Sequence, residues 1–225
     1  MDMMAMGSNL PEWVTPVAWT FLVLAVLSAG AILVDIYLRG HRQPSRAMEI
    51  VWPVTALYLG PFALLAYARW GRPASRTTGS MASTVAFGLP GGAASVLAHI
   101  VGVPLVVATG WTIAGLDMWA MIAVIAVIAL VLLFAFEYRS RAAASATPSA
   151  GRTAGTAAIV ALVTILAFDI GMVGWMVVLY LGTLMPPVSE VSFVFLMQLG
   201  VVIGLGTAYP VISRLARRAT APVAA

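Results

Sequence analysis

The chain has 225 residues, 62% hydrophobic and 9% charged, with a formal net charge of +4 and a mean hydropathy of +1.01. Soluble domains are nearer a quarter charged, so this composition excludes an ordinary soluble domain and points to a polytopic membrane protein. Cysteine and lysine are both absent, which excludes disulfides, thiolate metal sites, thiol catalysis, retinal or pyridoxal Schiff bases and a P-loop lysine.

The start, MDMMAMGSNLPEW, carries Asp2 and Glu12 and no basic residue. A secretory signal peptide has a positive n-region, so residues 1–14 are expected to be an extracytoplasmic tail and the first apolar segment a retained helix. A spanning helix needs ~20 apolar residues. Six segments qualify as candidates, at 15–38, 47–70, 80–108, 115–137, 156–182 and 189–213. The expected fold is all-α, one transmembrane helical bundle over 15–213, followed by a basic tail at 214–225.

The connectors set the orientation. Arginines follow segments one (Arg39, Arg42, Arg46), two (Arg69, Arg72, Arg76), four (Arg139, Arg141, Arg152) and six (Arg214, Arg217, Arg218), and the other connectors have none. Cytoplasmic loops concentrate arginine. Six crossings would leave nine arginines inside and three outside, whereas a second segment that returns to its own side places all twelve inside. That segment, VWPVTALYLGPFALLAYARW, holds Pro53 and the break Gly60-Pro61. Proline removes a backbone donor, and broken segments persist in membranes only against protein or a wet cavity. Five crossings plus a re-entrant or kinked second segment are therefore favoured over six crossings. The N-terminus then lies outside and the C-terminus in the cytoplasm of a bacterial inner membrane.

Near the inner boundary, Asp35 precedes Arg39 and Glu137 precedes Arg141, each at the i,i+4 spacing that favours a helical ion pair. Trp13, Trp111 and Trp119 on the outer side, and Trp52 and Trp70 on the inner, are expected as aromatic belts. SRLARRAT reads as a juxtamembrane patch for anionic lipid.

Segment three, GLPGGAASVLAHIVG, is expected to break at Pro90 and Gly91-Gly92. It aligns Gly88, Gly92, Ser95, His99 and Gly102 on one face. Segment five contains FDIGMVGWM, with Asp169 in the middle of an apolar run. At 100° per residue, Asp169, Met172, Met176, Tyr180 and Thr183 fall within about an 80° arc. Gly171 and Gly174 lie opposite, where a helix can approach closely. Segment six adds Gln198 and the GxxxG of Gly200 and Gly204.

By depth, His99, Asp169 and Gln198 fall at similar levels. A carboxylate in lipid costs ~3 kcal/mol even on lenient insertion scales, so Asp169 is expected to be protonated, paired or hydrated, with His99 its best partner. Such a pair would carry a proton or orient a metal ligand; equally, the same groups serve as a structural polar seam between helices. Methionines crowd the outer side, and thioethers select Cu(I). Met172 and Met176 are therefore candidate soft ligands, with Met3, Met4 and Met6 as weaker ones; methionine is also a flexible core filler. Two histidines at different levels argue against bis-histidine haem. No carboxylate pair, HExxH, GxSxG or nucleotide loop is present, so an enzyme is not expected.

The stretches GHRQPSRAMEIVWPVTALYLGPFALLAYARWGR, FDIGMVGWM and FLMQLGVVIGLGTAYP resemble a bacterial membrane family of unknown function, number 4396 in that series. The resemblance implies a multi-helix inner-membrane protein. It also implies a His-Cys cluster in segment three suited to a metal or redox site. Those positions hold Pro90, Gly91, Ser95 and His99 in this chain, so the soft ligands are missing. Two functions remain open. One is a non-enzymatic protein that binds or moves a small cation, Cu(I) or a proton, through Asp169, His99, Met172, Met176, Gln198 and Tyr180. The other is an accessory or assembly subunit of a larger membrane complex, with the polar groups a structural seam. The expected assembly is a homo-oligomer or a larger membrane complex. Nucleic acid is not an expected partner.

Overall fold

The computed structural model describes residues 9–43, 45–72, 80–144 and 149–220; Met3, Met4 and Met6 lie outside this range. The described residues are helical: α1 (Val14–Tyr37), α2 (Arg46–Leu59), α3 (Pro61–Ala66) with a π-helical turn (Tyr67–Gly71), α4 (Ser80–Thr109), α5 (Asp117–Ala144), α6 (Ala150–Leu181) and α7 (Val191–Thr220). Among them no strand occurs beyond one bridge, Ile113 to Leu116. Lipid offers no hydrogen bonds, so long apolar runs satisfy their backbone internally as helices. Five helices, all but α2 and α3, are long and apolar enough to cross a membrane.

The second segment is a hairpin. It breaks at Gly60, whose φ of +56° is the left-handed region open to glycine, and a Cβ there would stand 3.1 Å from the Phe21 ring, midway along α1. The returning arm packs on the entering one: the Trp52 and Tyr67 rings meet edge to face at 5.3 Å. The end of the hairpin comes back to the end of α1, where Arg72 Nε donates to Asp35 Oδ2 at 3.0 Å and its Nη2 to Oδ1. Trp52 is therefore buried rather than part of an aromatic belt, because it fills the space between the arms. Trp13, Trp111 and Trp119 are exposed as expected.

The antiparallel order places every described arginine at one end of the bundle. At the opposite end, the Asn9 amide donates to Thr183 Oγ1 at 2.9 Å. Both expected i,i+4 pairs form, Arg141 with Glu137 at 2.9 Å and Arg39 with Asp35 at 3.6 Å. Asp35, however, is mainly held by Arg72 and by the Tyr67 hydroxyl at 3.1 Å, with His41 Nδ1 at 3.2 Å.

α4 runs unbroken through Pro90 and Gly91-Gly92, contrary to the expected break. Its neighbours close on the missing side chains: a Cβ on Gly92 would meet the Tyr58 hydroxyl at 2.6 Å, and one on Gly91 the Thr164 methyl at 3.4 Å. Packing on both sides holds the helix together where the proline donor is lost. α7 likewise continues to Thr220, so Arg214, Arg217 and Arg218 are its last turns rather than a separate tail.

Candidate functional site

The α6–α7 seam is closely packed. A Cβ on Gly171 would meet Thr207 Oγ1 at 2.6 Å and the Ile203 carbonyl at 2.9 Å, and one on Gly204 the Phe168 ring at 2.9 Å. Trp175 Nε1 donates to the Leu196 carbonyl at 2.8 Å and Thr207 Oγ1 to the Ala167 carbonyl at 2.9 Å. Glycine at 171, 200 and 204 thus permits backbone approach, as expected of small residues between membrane helices. Gly174 has nothing within 4 Å and takes no part.

Met172 and Met176 are both buried in this core, and the Met172 sulfur lies where a Cβ of Gly200 would be, at 2.6 Å. Met118, Met121, Met185 and Met197 are buried in the same hydrophobic cluster. The methionine-rich end is therefore packed as core. Tyr180 is partly buried near the end of α6. Asp169 is partly buried on α6, beside the exposed Ile170, and has no hydrogen bond or ion pair among the described residues. The expected Asp169–His99 pair does not form: His99 Nδ1 lies 2.8 Å from the Ser95 carbonyl of its own helix, and the ring lines a cavity that Asp169 does not reach.

His99 and Gln198 do come together. Both line a partly open cavity of about 370 Å³ between α1, the tip of the hairpin, α4 and α7, with Leu22, Leu57, Val103 and Met197 also in its wall. It lies in the half of the bundle away from the arginines. Asp169, Met172, Met176 and Tyr180 are not among its lining residues.

The sequence builds the floor of this cavity. The last carbonyls of a helix have no partner within it. Leu57 is one residue beyond Ala56, whose carbonyl takes the Gly60 N–H at 2.9 Å, and the next residue along, Pro61, has no N–H to offer. Gln198 fills the gap: its Nε2 donates to the Leu57 carbonyl at 2.6 Å. A carbonyl only accepts, so the amide nitrogen must face Leu57, which leaves Oε1 at the other end, buried and without a donor. The same logic sets His99. The Ser95 carbonyl requires the neutral ring to carry its proton on Nδ1, so Nε2 is an acceptor. Of the positions marked by the resemblance, Pro90, Gly91 and Ser95 are buried and only His99 reaches the cavity.

Among the described residues no group of three or more His, Cys, Asp or Glu side chains is placed to hold a metal ion. The residues that sequence reasoning missed are Leu57 and Pro61. A glutamine at membrane depth and a proline four residues after a leucine were both visible, but their meeting needed the hairpin.

Spanning-length helices around a helical hairpin define a polytopic helical membrane protein. The chain belongs to the family described as Domain of unknown function (DUF4396), whose model matches residues 81–220. The match covers α4 to α7; the VWPVTALYLGP stretch of the second segment precedes it. No curated protein and no solved structure matches the chain.

Proposed function

We propose that the protein is a non-enzymatic integral membrane protein that binds a small ligand within the bilayer, with His99 and Gln198 as the polar centre of the site. The observation that carries this reading is the pairing of an apolar cavity of about 370 Å³ with two convergent polar side chains, the usual composition of a small-molecule site. The positive-inside rule then puts the arginine-bearing end in the bacterial cytoplasm and the cavity in the outer half of the inner membrane. Arg214, Arg217 and Arg218 form the contact with anionic lipid.

The geometry separates the two cations expected from sequence. His99 Nε2 is a proton acceptor within the cavity. Cu(I) needs several soft donors, and Met197 is the one methionine in the wall, whereas Met172 and Met176 are committed to the α6–α7 core. A proton or a proton-bearing ligand therefore fits better than copper.

Native mass spectrometry of protein extracted from its own membranes tests this. A bound small molecule should be lost from Val103→Trp, which fills the cavity, and kept in Met172→Leu with Met176→Leu. Bound copper that leaves with the methionine pair and stays with the tryptophan would contradict the cavity reading.

A second reading, an accessory subunit of a larger complex, is favoured by Asp169. This carboxylate has no partner within the described chain and sits beside the exposed apolar Leu166 and Ile170, where a helix of another subunit would supply a donor.

A further inference from the structure

The polarity of the cavity limits what can occupy it. Of its two polar side chains, His99 presents an acceptor, Nε2, because the Ser95 carbonyl claims the proton on Nδ1, whereas Gln198 is held by the Leu57 carbonyl and its Oε1 is buried. No charged side chain lines the wall, so an ion would enter without a counter-charge, at a heavy desolvation cost. An occupant carrying only acceptors, such as a ketone, ester or quinone carbonyl, would set acceptor against acceptor. A plain acyl chain would leave His99 Nε2 without a donor, and an unsatisfied buried acceptor is costly.

Size and access agree. A cavity of about 150 Å³ takes up benzene, so about 370 Å³ holds a substituted ring and the start of a chain. Ile100 and Val194, which also line it, are 57% and 40% exposed on the apolar surface of the bundle. The way in therefore leads from the lipid phase.

We propose that the ligand is a neutral, lipid-soluble molecule with a hydroxylated ring, in the class of alkylphenols and alkylhydroquinones, whose hydroxyl donates to His99 Nε2. This rests on the cavity reading above and narrows it to one hydrogen-bonding sense.

The probes are 4-decylphenol and 4-decylanisole, which differ by a methyl group that removes the donor and keeps the oxygen. Their binding to the full chain in detergent is measured by isothermal titration. The phenol should bind about tenfold more tightly, the equivalent of one well-made hydrogen bond, although the ether is the more apolar molecule. In His99→Phe, which removes that acceptor, the gap should close. Equal affinities, tighter binding of the anisole, or no binding of either probe would overturn the proposed ligand class. Equal affinities that both vanish in Val103→Trp would leave the cavity reading standing. Binding of both that is unaffected by Val103→Trp would remove the cavity reading as well.

Discussion

Gln198 acts as a structural cap. It closes the helix end that Gly60 and Pro61 leave open, and does so from another helix, so one side chain ties α7 to the hairpin tip. Gln198→Leu keeps the volume but strands the Leu57 carbonyl away from water. The expected loss is about 1–3 kcal/mol, the cost of an unsatisfied buried polar group, measured by denaturant unfolding in detergent. An unchanged midpoint would mean that the tip is not held this way. Asp169 is the converse case. It drew attention in the sequence as an ionisable group in an apolar run, and its oddity is real, but depth along a helix says nothing of azimuth. Asp169 and His99 do not share a site, because His99 lines the cavity and the carboxylate sits elsewhere on the bundle.

Between helices, the glycines are unequal, and the inequality can be measured. Gly171 faces backbone, the Ile203 carbonyl at 2.9 Å and Gly204 Cα at 3.0 Å, and backbone cannot swing aside. Gly171→Ala should cost about 1–3 kcal/mol through overpacking. Gly174 faces open space, so Gly174→Ala should be neutral or gain up to about 1 kcal/mol from helix propensity. Thermal unfolding of the two variants side by side checks the seam, and equal effects would count against it. The small-residue pattern made this seam legible from sequence: Gly171, Gly200 and Gly204 pack as their spacing implied. Gly174 did not follow, since a face opposite a polar stripe is wider than one helix contact. The expected break in α4 failed for a related reason. Proline and glycine weaken an isolated helix, but Tyr58 and Thr164 fill the space those residues leave, and no local pattern reports on that.

At the scale of the whole molecule, composition and apolar runs were enough for the class, a membrane bundle of five spanning-length helices with an odd second segment. The arginine distribution, together with Gly60-Pro61, pointed to a segment that turns back. The site was less legible. His99 and Gln198 were both among the candidates, but nothing in the sequence said that they meet at a hairpin tip, because the cavity draws its wall from four separate elements. The described methionines that crowd at one end pack in the buried core, a placement that composition along the chain does not report. Asp35 shows the opposite error: its i,i+4 arginine was evident, whereas its main partners, Arg72 and Tyr67, lie across the returning hairpin.

The account stands on that hairpin, since it brings Leu57 to Gln198 and forms the cavity floor. Because the chain has no cysteine, single cysteines can report sidedness directly. Gln43→Cys before the hairpin, Arg69→Cys at its end and Ser140→Cys in the last turns of α5 should all react with a membrane-impermeant maleimide from one side. Thr112→Cys and Ser189→Cys should react only from the other. Labelling of Arg69→Cys from the side opposite to Gln43→Cys would make the second segment a crossing, and would contradict both the fold and the site built on it.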